Sequence, residues 1–184
     1  VLILAGDHIY KMDYSLMLDH HVTSGADVTV GTLRVPVEEA YRFGVVKTNR
    51  DGKIGEFLEK PAKSLAEPFS TKGSVDASMG IYIFRTSALV SVLRRDAENP
   101  LSNHDFGRDI LPSILKDYLV CSYPFVDRNR RGEQAYWEDV GTLDTYYAAN
   151  MDLVSVSPVF NLYDQDWPIR TWQEQHPPAK FVFA

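Results

Sequence analysis

The sequence is poor in cysteine and contains neither a long apolar run nor an extended basic segment, and each shortage excludes a class of protein. Cys121 is the only cysteine among 184 residues, so an intrachain disulfide or a thiolate metal cluster is excluded. This usage fits a reducing compartment, and we therefore expect a cytoplasmic protein. No window approaches the roughly 18 to 20 consecutive apolar residues of a membrane span, so we expect no membrane attachment.

Positive charge is also scarce. The sequence has 19 Lys+Arg against 25 Asp+Glu, a formal net charge of −6, and its most basic stretch is residues 128–131. Because broad nucleic-acid binding relies on many Lys and Arg contacts with phosphates, we expect no nucleic-acid partner. An anionic ligand would need a placed lysine, a backbone pocket or a bound cation.

Several common catalytic motifs are missing from the chain. It contains no His-Glu-x-x-His, no Gly-x-Ser-x-Gly, no Walker A loop and no Gly-x-Gly-x-x-Gly. His8, His104 and His176 lack the spacing of metal ligands, so the sequence predicts no zinc site.

The composition is that of a folded domain, with 45% hydrophobic and 24% charged residues. Hydrophobic patterns predict strands at 1–5, 28–35, 45–48, 54–58, 78–84, 120–125 and 136–140. The predicted helices begin after the capping residues Asp13, Thr86, Asp105 and Thr142, and the third is bent or split at Pro112. This alternation of strands and helices predicts an α/β fold around a mixed sheet.

Some segments carry more specific expectations. The continuous apolar run at 1–5 predicts a strand buried on both faces. Residues 61–74 form a polar loop that is long enough to favour a functional role. Because apolar segments at 1–5 and 181–184 stop at the chain ends, we expect a fragment of a longer protein. The helix after Asp13 would end at Gly25 and place on its apolar face Tyr14, Met17, Leu18, His21 and Val22.

Two carboxylates at the ends of predicted strands are candidate metal ligands. Asp7 stands just beyond the first strand, and Asp139 lies near the end of the short strand at 136–140, before the helix capped by Thr142. Ligands of open α/β sheets bind outside the carboxyl ends of strands. If the two carboxylates converge, they would suit Mg²⁺, which takes one or two carboxylates plus water and substrate phosphates. The alternative is that each aspartate only forms a turn.

A second group of residues could bind an anionic, hydroxylated substrate. Glu59 and Lys60 end a strand before Pro61, where Lys60 could hold a phosphate and Glu59 could accept hydrogen bonds from hydroxyls. The alternative is a solvated strand end. Gly44 leaves room for close approach of a ligand, and Ser78 offers a hydroxyl, although both positions also suit simple packing.

Taken together, these segments resemble the sugar-nucleotide pyrophosphorylases, and specifically the bacterial glucose-1-phosphate adenylyltransferases. The tail at 163–181 looks like the glucose-specific linker that leads into this family's C-terminal left-handed β-helix. The matching segments run in order along nearly the whole chain: LAGDHIY at 4–10, FGV at 43–45, FLEKPA at 57–62, ASMGIY at 77–82, HDFG at 104–107 and WEDVGT at 137–142.

The resemblance implies a fold and a reaction. Residues 1–154 would form the C-terminal two-thirds of a mixed-sheet, Rossmann-like sugar nucleotidyltransferase domain, and residues 155–184 a linker toward a missing β-helix. The reaction would join ATP and α-D-glucose 1-phosphate into ADP-glucose and pyrophosphate, with Mg²⁺ as cofactor, in bacterial glycogen synthesis. The resemblance also implies an allosteric homotetramer for the full-length protein.

The resemblance further implies roles for individual residues. Asp7 and Asp139 would hold the catalytic Mg²⁺, and Lys60 would bind the sugar phosphate. Three further residues would line the glucose pocket, namely Glu59, Gly44 and Ser78. Asp105 and Trp137 would lie near the sugar.

Two parts of the family pattern are absent from these residues, namely the Gly-rich nucleotide loop and the β-helix. We therefore expect the chain on its own to be inactive or nearly so. Two other interpretations remain open, a sugar-phosphate nucleotidyltransferase with a different base and a non-catalytic regulatory subunit of the same fold. Asp7, Lys60 and Asp139 together argue against the second, because a binding-only subunit would not need all three.

Overall fold

A computed structural model describes residues 1–126, 135–162 and 164–170 of the chain. Its contacts separate two compact units, Val1–Asp139 and Val140–Ala184. All the predicted site residues belong to the first unit. The predicted division of the chain after residue 154 stays a prediction.

A mixed sheet forms the framework of the first unit. The strands are β1 (Leu2–Ile3), β2 (His8–Tyr10), β3 (Val28–Pro36), β4 (Gly44–Thr48), β5 (Ile54–Glu59), β6 (Ser74–Phe84), β7 (Val120–Pro124) and β8 (Trp137–Asp139). Six of them form one sheet in the order β5-β4-β6-β3-β7, with β1 also paired to β6. Strands β3 and β7 are parallel, whereas the other described pairs in this sheet are antiparallel. The predicted α/β class with a mixed sheet is confirmed.

The prediction of a first strand buried on both faces is wrong. Strand β1 covers only Leu2–Ile3, and among the described residues it pairs with β6 alone. Leu2 and Leu4 are consequently 40% and 43% exposed. A continuous apolar run indicates burial only when neighbouring strands or helices cover both faces of the strand.

Helices and shorter turns connect the strands. The α-helices are α1 (Tyr14–Thr23), α2 (Lys63–Ala66), α3 (Thr86–Ala97), α4 (Leu111–Ile114) and α5 (Leu143–Leu153). Two 3₁₀ segments and one π-helical turn add to them, at Val37–Arg42, Glu67–Phe69 and Phe106–Ile110. Within the part of the chain that the structure describes, no helix has the length and apolar character to cross a membrane.

The predicted helix starts are confirmed at three of four positions. Asp13 caps α1 by accepting from the Ser15 backbone nitrogen at 3.0 Å, Asp105 caps the π-helical turn, and Thr142 caps α5. Thr86, however, is the first residue of α3, and the capping position belongs to Arg85, which makes no side-chain capping bond.

Two further expectations need correction. The polar loop at 61–74 contains α2 and a 3₁₀ segment, because good helix formers stand between its two prolines. In α1, Met17 is fully buried, but Leu18 is 50% and Val22 is 70% exposed. The buried face of α1 is thus narrower than the apolar stripe.

Two hydrophobic clusters pack against alternate sides of β6. Met79, Ile81 and Ile83 belong to one cluster, and Tyr82 and Phe84 belong to the other. This alternation follows from the two-residue period of a strand. Because both sides of β6 are packed, the strand provides a rigid base for the side chains at its cleft-facing positions.

We expect Met17→Ala to lower the free energy of unfolding by about 2 to 5 kcal/mol, because it empties a fully buried site. The matched control is Leu18→Ala in the same helix, where half the side chain is exposed and the loss should stay below about 1 kcal/mol. Urea denaturation measures both. Equal losses for the two variants would contradict the assigned orientation of α1.

Candidate functional site

A separate two-stranded sheet brings together the two predicted metal ligands. Strands β2 and β8 are antiparallel, and His8 lies directly opposite Asp139. Residues opposite each other in such a pair project from the same face. Asp7 immediately precedes β2, and the ligand atoms of Asp7, His8 and Asp139 all lie within 4.8 Å of one another. Two carboxylates that are distant in sequence therefore meet.

His8 is a member of this group that the sequence spacing did not indicate. Its Nε2 lies 3.8 Å from Asp7 Oδ1, and its ring meets Trp137 edge-on with 5.0 Å between centroids. Gly80, at a φ of +69°, makes room for this ring, since a Cβ there would lie 2.9 Å from His8 Cε1. The Nδ1 atom of His8 is buried and has no hydrogen-bond partner among the described residues.

The donor set of this group fits a divalent cation. Carboxylate oxygens are the preferred ligands of Mg²⁺, which also keeps positions for water and substrate phosphates. The Asp7 side chain is 58% exposed, which leaves it accessible for such shared coordination. Asp7 and Asp139 therefore suit Mg²⁺, and the adjacent imidazole is also compatible with softer divalent ions.

A cleft of about 370 Å³ adjoins the acidic pair. Asp7 is not among the residues that line it, but its neighbour His8 is. The residues that line the cleft include nearly all the sequence-predicted candidates: Gly44, Glu59, Lys60, Ser78, Asp105, Trp137 and Asp139. The wall also contains residues that sequence reasoning did not assign: His8, Arg42, Tyr82, His104, Phe106 and Gly107.

Glu59 occupies a narrow slot in the cleft wall. A Cβ at Gly44 would lie 2.9 Å from Glu59 Oε2, and a Cβ at Gly107 would clash with the same oxygen even more closely. Burial raises the pKa of Glu59; the charge of Lys60 opposes this shift, and the charge of Asp105 adds to it. The two glycines thus admit a carboxylate that is costly to ionise and ready to exchange hydrogen bonds with a ligand.

Lys60 is held at the end of β5 in an uncommon backbone conformation. Its φ is 44°, in the left-handed region that residues other than glycine seldom adopt. Its backbone nitrogen donates to the Phe43 carbonyl at 3.0 Å. The exposed side chain lines both the cleft and a neighbouring cavity, so the ammonium group is available to an anion.

Ser78 and Tyr82 place two hydroxyls on one wall of the cleft. Their oxygens are 3.4 Å apart, and the Tyr82 ring stacks on Phe106 with 5.7 Å between centroids. Burial raises the pKa of Tyr82 to about 12, with the charges of Glu59 and Asp105 adding to the shift and the Ser78 hydrogen bond opposing it. Tyr82 therefore keeps its proton at neutral pH and can donate it in a hydrogen bond.

Trp137 forms the apolar side of the site. It is 8% exposed and packs against Phe43, with 5.2 Å between ring centroids, as well as against His8. Its indole thus lies between His8, which neighbours the acidic pair, and the cleft wall at Phe43. A sugar ring, which has apolar faces and polar edges, would match such a wall.

Comparison with known proteins relates the chain to one family. Residues 1–156 match the family described as Nucleotidyl transferase. The chain is 56% identical over 185 residues to "Glucose-1-phosphate adenylyltransferase" of Koribacter versatilis, covering 100% of the chain and 44% of that protein. Proteins of the same name from Methylococcus capsulatus and Hydrogenovibrio crunogenus are 53% and 52% identical, and the chain covers 43% of each. It therefore spans less than half the length of these relatives.

We expect Glu59→Gln to stabilise the protein at neutral pH. Because the folded-state pKa of Glu59 is raised above its ordinary 4.5, the wild type loses stability as the pH rises from the unfolded-state pKa through the folded-state pKa. Glutamine does not titrate, so the advantage of the variant should be absent well below pH 4.5 and appear above that window. Urea denaturation across pH 3.5 to 8 measures it, and a constant difference at all pH values would contradict the assignment.

Proposed function

The chain belongs to the nucleotidyl transferase family, and from this we propose that the full-length protein is a glucose-1-phosphate adenylyltransferase. It would form ADP-glucose and pyrophosphate from ATP and α-D-glucose 1-phosphate. The observation that carries the proposal is the meeting of Asp7 and Asp139 beside a cleft that contains Glu59 and Lys60. The names of relatives at 50% to 56% identity support the choice of substrates.

Asp7 and Asp139 would hold Mg²⁺ in this reaction. When bound there, the cation supplies charge neutralisation and alignment for the phosphates of the two substrates. The protein's part is to keep both carboxylates at one place, which the pairing of β2 and β8 accomplishes. His8, with Trp137 on one side and Gly80 on the other, orients the segment that carries Asp7.

Lys60 would bind the phosphate of the sugar substrate. An oxygen of this phosphate attacks the α-phosphorus of ATP, a new oxygen–phosphorus bond forms, and the bond to the departing pyrophosphate breaks. Both reactants are anionic, so the Lys60 ammonium group would offset their repulsion and fix the attacking oxygen in line. No protein nucleophile is required.

The sugar itself would lie in the cleft. Glu59, with its slot beside Gly44, and Ser78 would form hydrogen bonds with the hexose hydroxyls. Asp105 and Trp137 would complete the pocket near the sugar ring. Such contacts allow binding energy to discriminate between hexoses, because a missing hydroxyl leaves a buried polar group without a partner.

Two alternatives differ in what they require of the site. A transferase for another nucleotide would keep the same sugar-phosphate residues, and the names of the relatives favour adenylyl transfer over it. A non-catalytic regulatory subunit would not need Asp7, Lys60 and Asp139 around one cleft. We also keep as proposals the cytoplasmic location, the allosteric homotetramer and the role in glycogen synthesis that the resemblance implies.

The first test measures pyrophosphate release by the full-length protein with glucose 1-phosphate and ATP, dTTP, UTP or GTP. We expect release with ATP, and we expect Asp7→Asn to lower kcat by about 100-fold or more, because a bound metal ion lowers the barrier by several kcal/mol. Circular dichroism should show an unchanged fold. Near-normal turnover of Asp7→Asn at saturating Mg²⁺ would remove Asp7 from the site, and preference for another nucleotide would reject adenylyl transfer.

The second test concerns Lys60. We expect Lys60→Ala to raise the KM for glucose 1-phosphate by roughly 10- to 100-fold, the value of one charged hydrogen bond. The matched control is Lys63→Ala, because Lys63 is exposed, pairs with Glu38 at 3.1 Å and does not line the cleft. An unchanged sugar-phosphate dependence in Lys60→Ala, or an equal change in the control, would reject the role of Lys60.

A further inference from the structure

The loop between α3 and the π-helical turn carries His104 and Asp105 into the cleft wall. Asp96, in the last turn of α3, anchors the loop to that helix. The Ser102 hydroxyl donates to Asp96 Oδ1 at 2.6 Å, and His104 Nδ1 donates to Asp96 Oδ2 at 2.7 Å. These two hydrogen bonds lower the pKa of Asp96. Its carboxylate, only 13% exposed, thus has both oxygens engaged by the loop.

Asp109, within the π-helical turn, anchors the same stretch of the loop to that turn. Asp109 Oδ2 accepts from the backbone nitrogens of Asn103 and Asp105 at 3.2 and 3.3 Å. Asp109 Oδ1 accepts from the side-chain nitrogen of Asn103 at 3.4 Å. Neither Asp96 nor Asp109 lines the cleft. Two carboxylates outside the cleft, one from each flanking element, therefore hold residues 102–105 of the loop.

The loop needs such support because its conformation is unfavourable. His104 has a φ of 59°, in the left-handed region, which is sterically unfavourable for a residue other than glycine. Glu59 Oε2 and Asp105 Oδ1 both lie close to Gly107, and the charge of Asp105 raises the pKa of Glu59, so the two carboxyl groups repel each other at short range. Strain and repulsion both act to move Asp105 away, and the hydrogen bonds of Asp96 and Asp109 oppose that movement.

We propose that Asp96 and Asp109 are positioning residues, which hold Asp105 next to Glu59 and thereby set the affinity of the cleft for the sugar phosphate without touching it. This inference rests on the proposed function, because the sugar phosphate is the proposed occupant of the cleft. It assigns to Asp96, Ser102 and Asp109 a selective effect on one of the two substrates. The nucleotide should be affected little, since His104 and Asp105 line the cleft that we propose for the sugar phosphate.

The kinetic test uses the full-length protein and the variants Ser102→Ala and Asp109→Ala. Each removes hydrogen bonds that involve a charged group, and we expect the KM for glucose 1-phosphate to rise about tenfold. The KM for ATP and kcat should stay within about twofold of the wild type. Equal increases in both KM values would show a general structural role and overturn the inference, as would an unchanged KM for glucose 1-phosphate.

Conservative variants and a neighbouring ion pair provide the controls. Ser102→Thr keeps the hydroxyl, and Asp109→Asn keeps an oxygen that accepts from the backbone nitrogens, so both should retain most of the wild-type affinity. Asp117→Asn removes the negative charge that pairs with Arg95 at 2.9 Å. Arg95 is adjacent to Asp96 in the same helix. We expect this control to leave both KM values unchanged. Loss of affinity in all variants alike would overturn the inference.

Hydrogen exchange separates this inference from the proposed function. In Ser102→Ala and Asp109→Ala, the backbone amides of Asn103 and Asp105 should exchange faster than in the wild type, while those of β6 should not change. Unchanged exchange in the loop would overturn the anchoring whether or not the enzyme is active. If the wild-type protein released no pyrophosphate from glucose 1-phosphate and ATP, the proposed function would be overturned. Hydrogen exchange would still decide whether Asp96 and Asp109 anchor the loop.

Discussion

The candidate site depends on the antiparallel pairing of β2 with β8. This small sheet connects a segment near residue 8 with one near residue 138, and its register sets His8 opposite Asp139. Either segment on its own would be an ordinary turn beside a strand. Pairing brings the ligand atoms of the two segments within 4.8 Å of one another. The backbone hydrogen bonds of the sheet thus position the side chains that could bind a metal ion.

The substrate side of the site is organised by a different constraint, which is the cost of placing carboxylates close together and partly out of water. Gly44 and Gly107 leave space for Glu59, and the raised pKa of Glu59 reflects its burial and the nearby charge of Asp105. This arrangement lowers the stability of the folded protein and leaves polar groups that can form hydrogen bonds with a ligand. The well-packed strand β6 behind them supplies the rigidity that such an arrangement requires.

Sequence patterns predicted the features that depend on local chemistry. The mixed α/β class and the caps at Asp13 and Thr142 follow from periodicity and capping signals. Burial was predicted less well, because the exposure of Leu2 and Val22 depends on which elements cover them. His8 escaped assignment for a related reason, since its place in the site arises from strand pairing and from the space at Gly80, which no spacing rule indicates.

The separation of β2 and β8 from the larger sheet has a consequence for how the molecule folds. Their contact joins two segments that lie almost at opposite ends of the first unit in sequence. Closing the long chain loop between them costs conformational entropy, and only three residue pairs offset that cost. Two short strands on their own have little stability in water. The acidic pair should therefore assemble late in folding and come apart early on heating, before the main sheet melts.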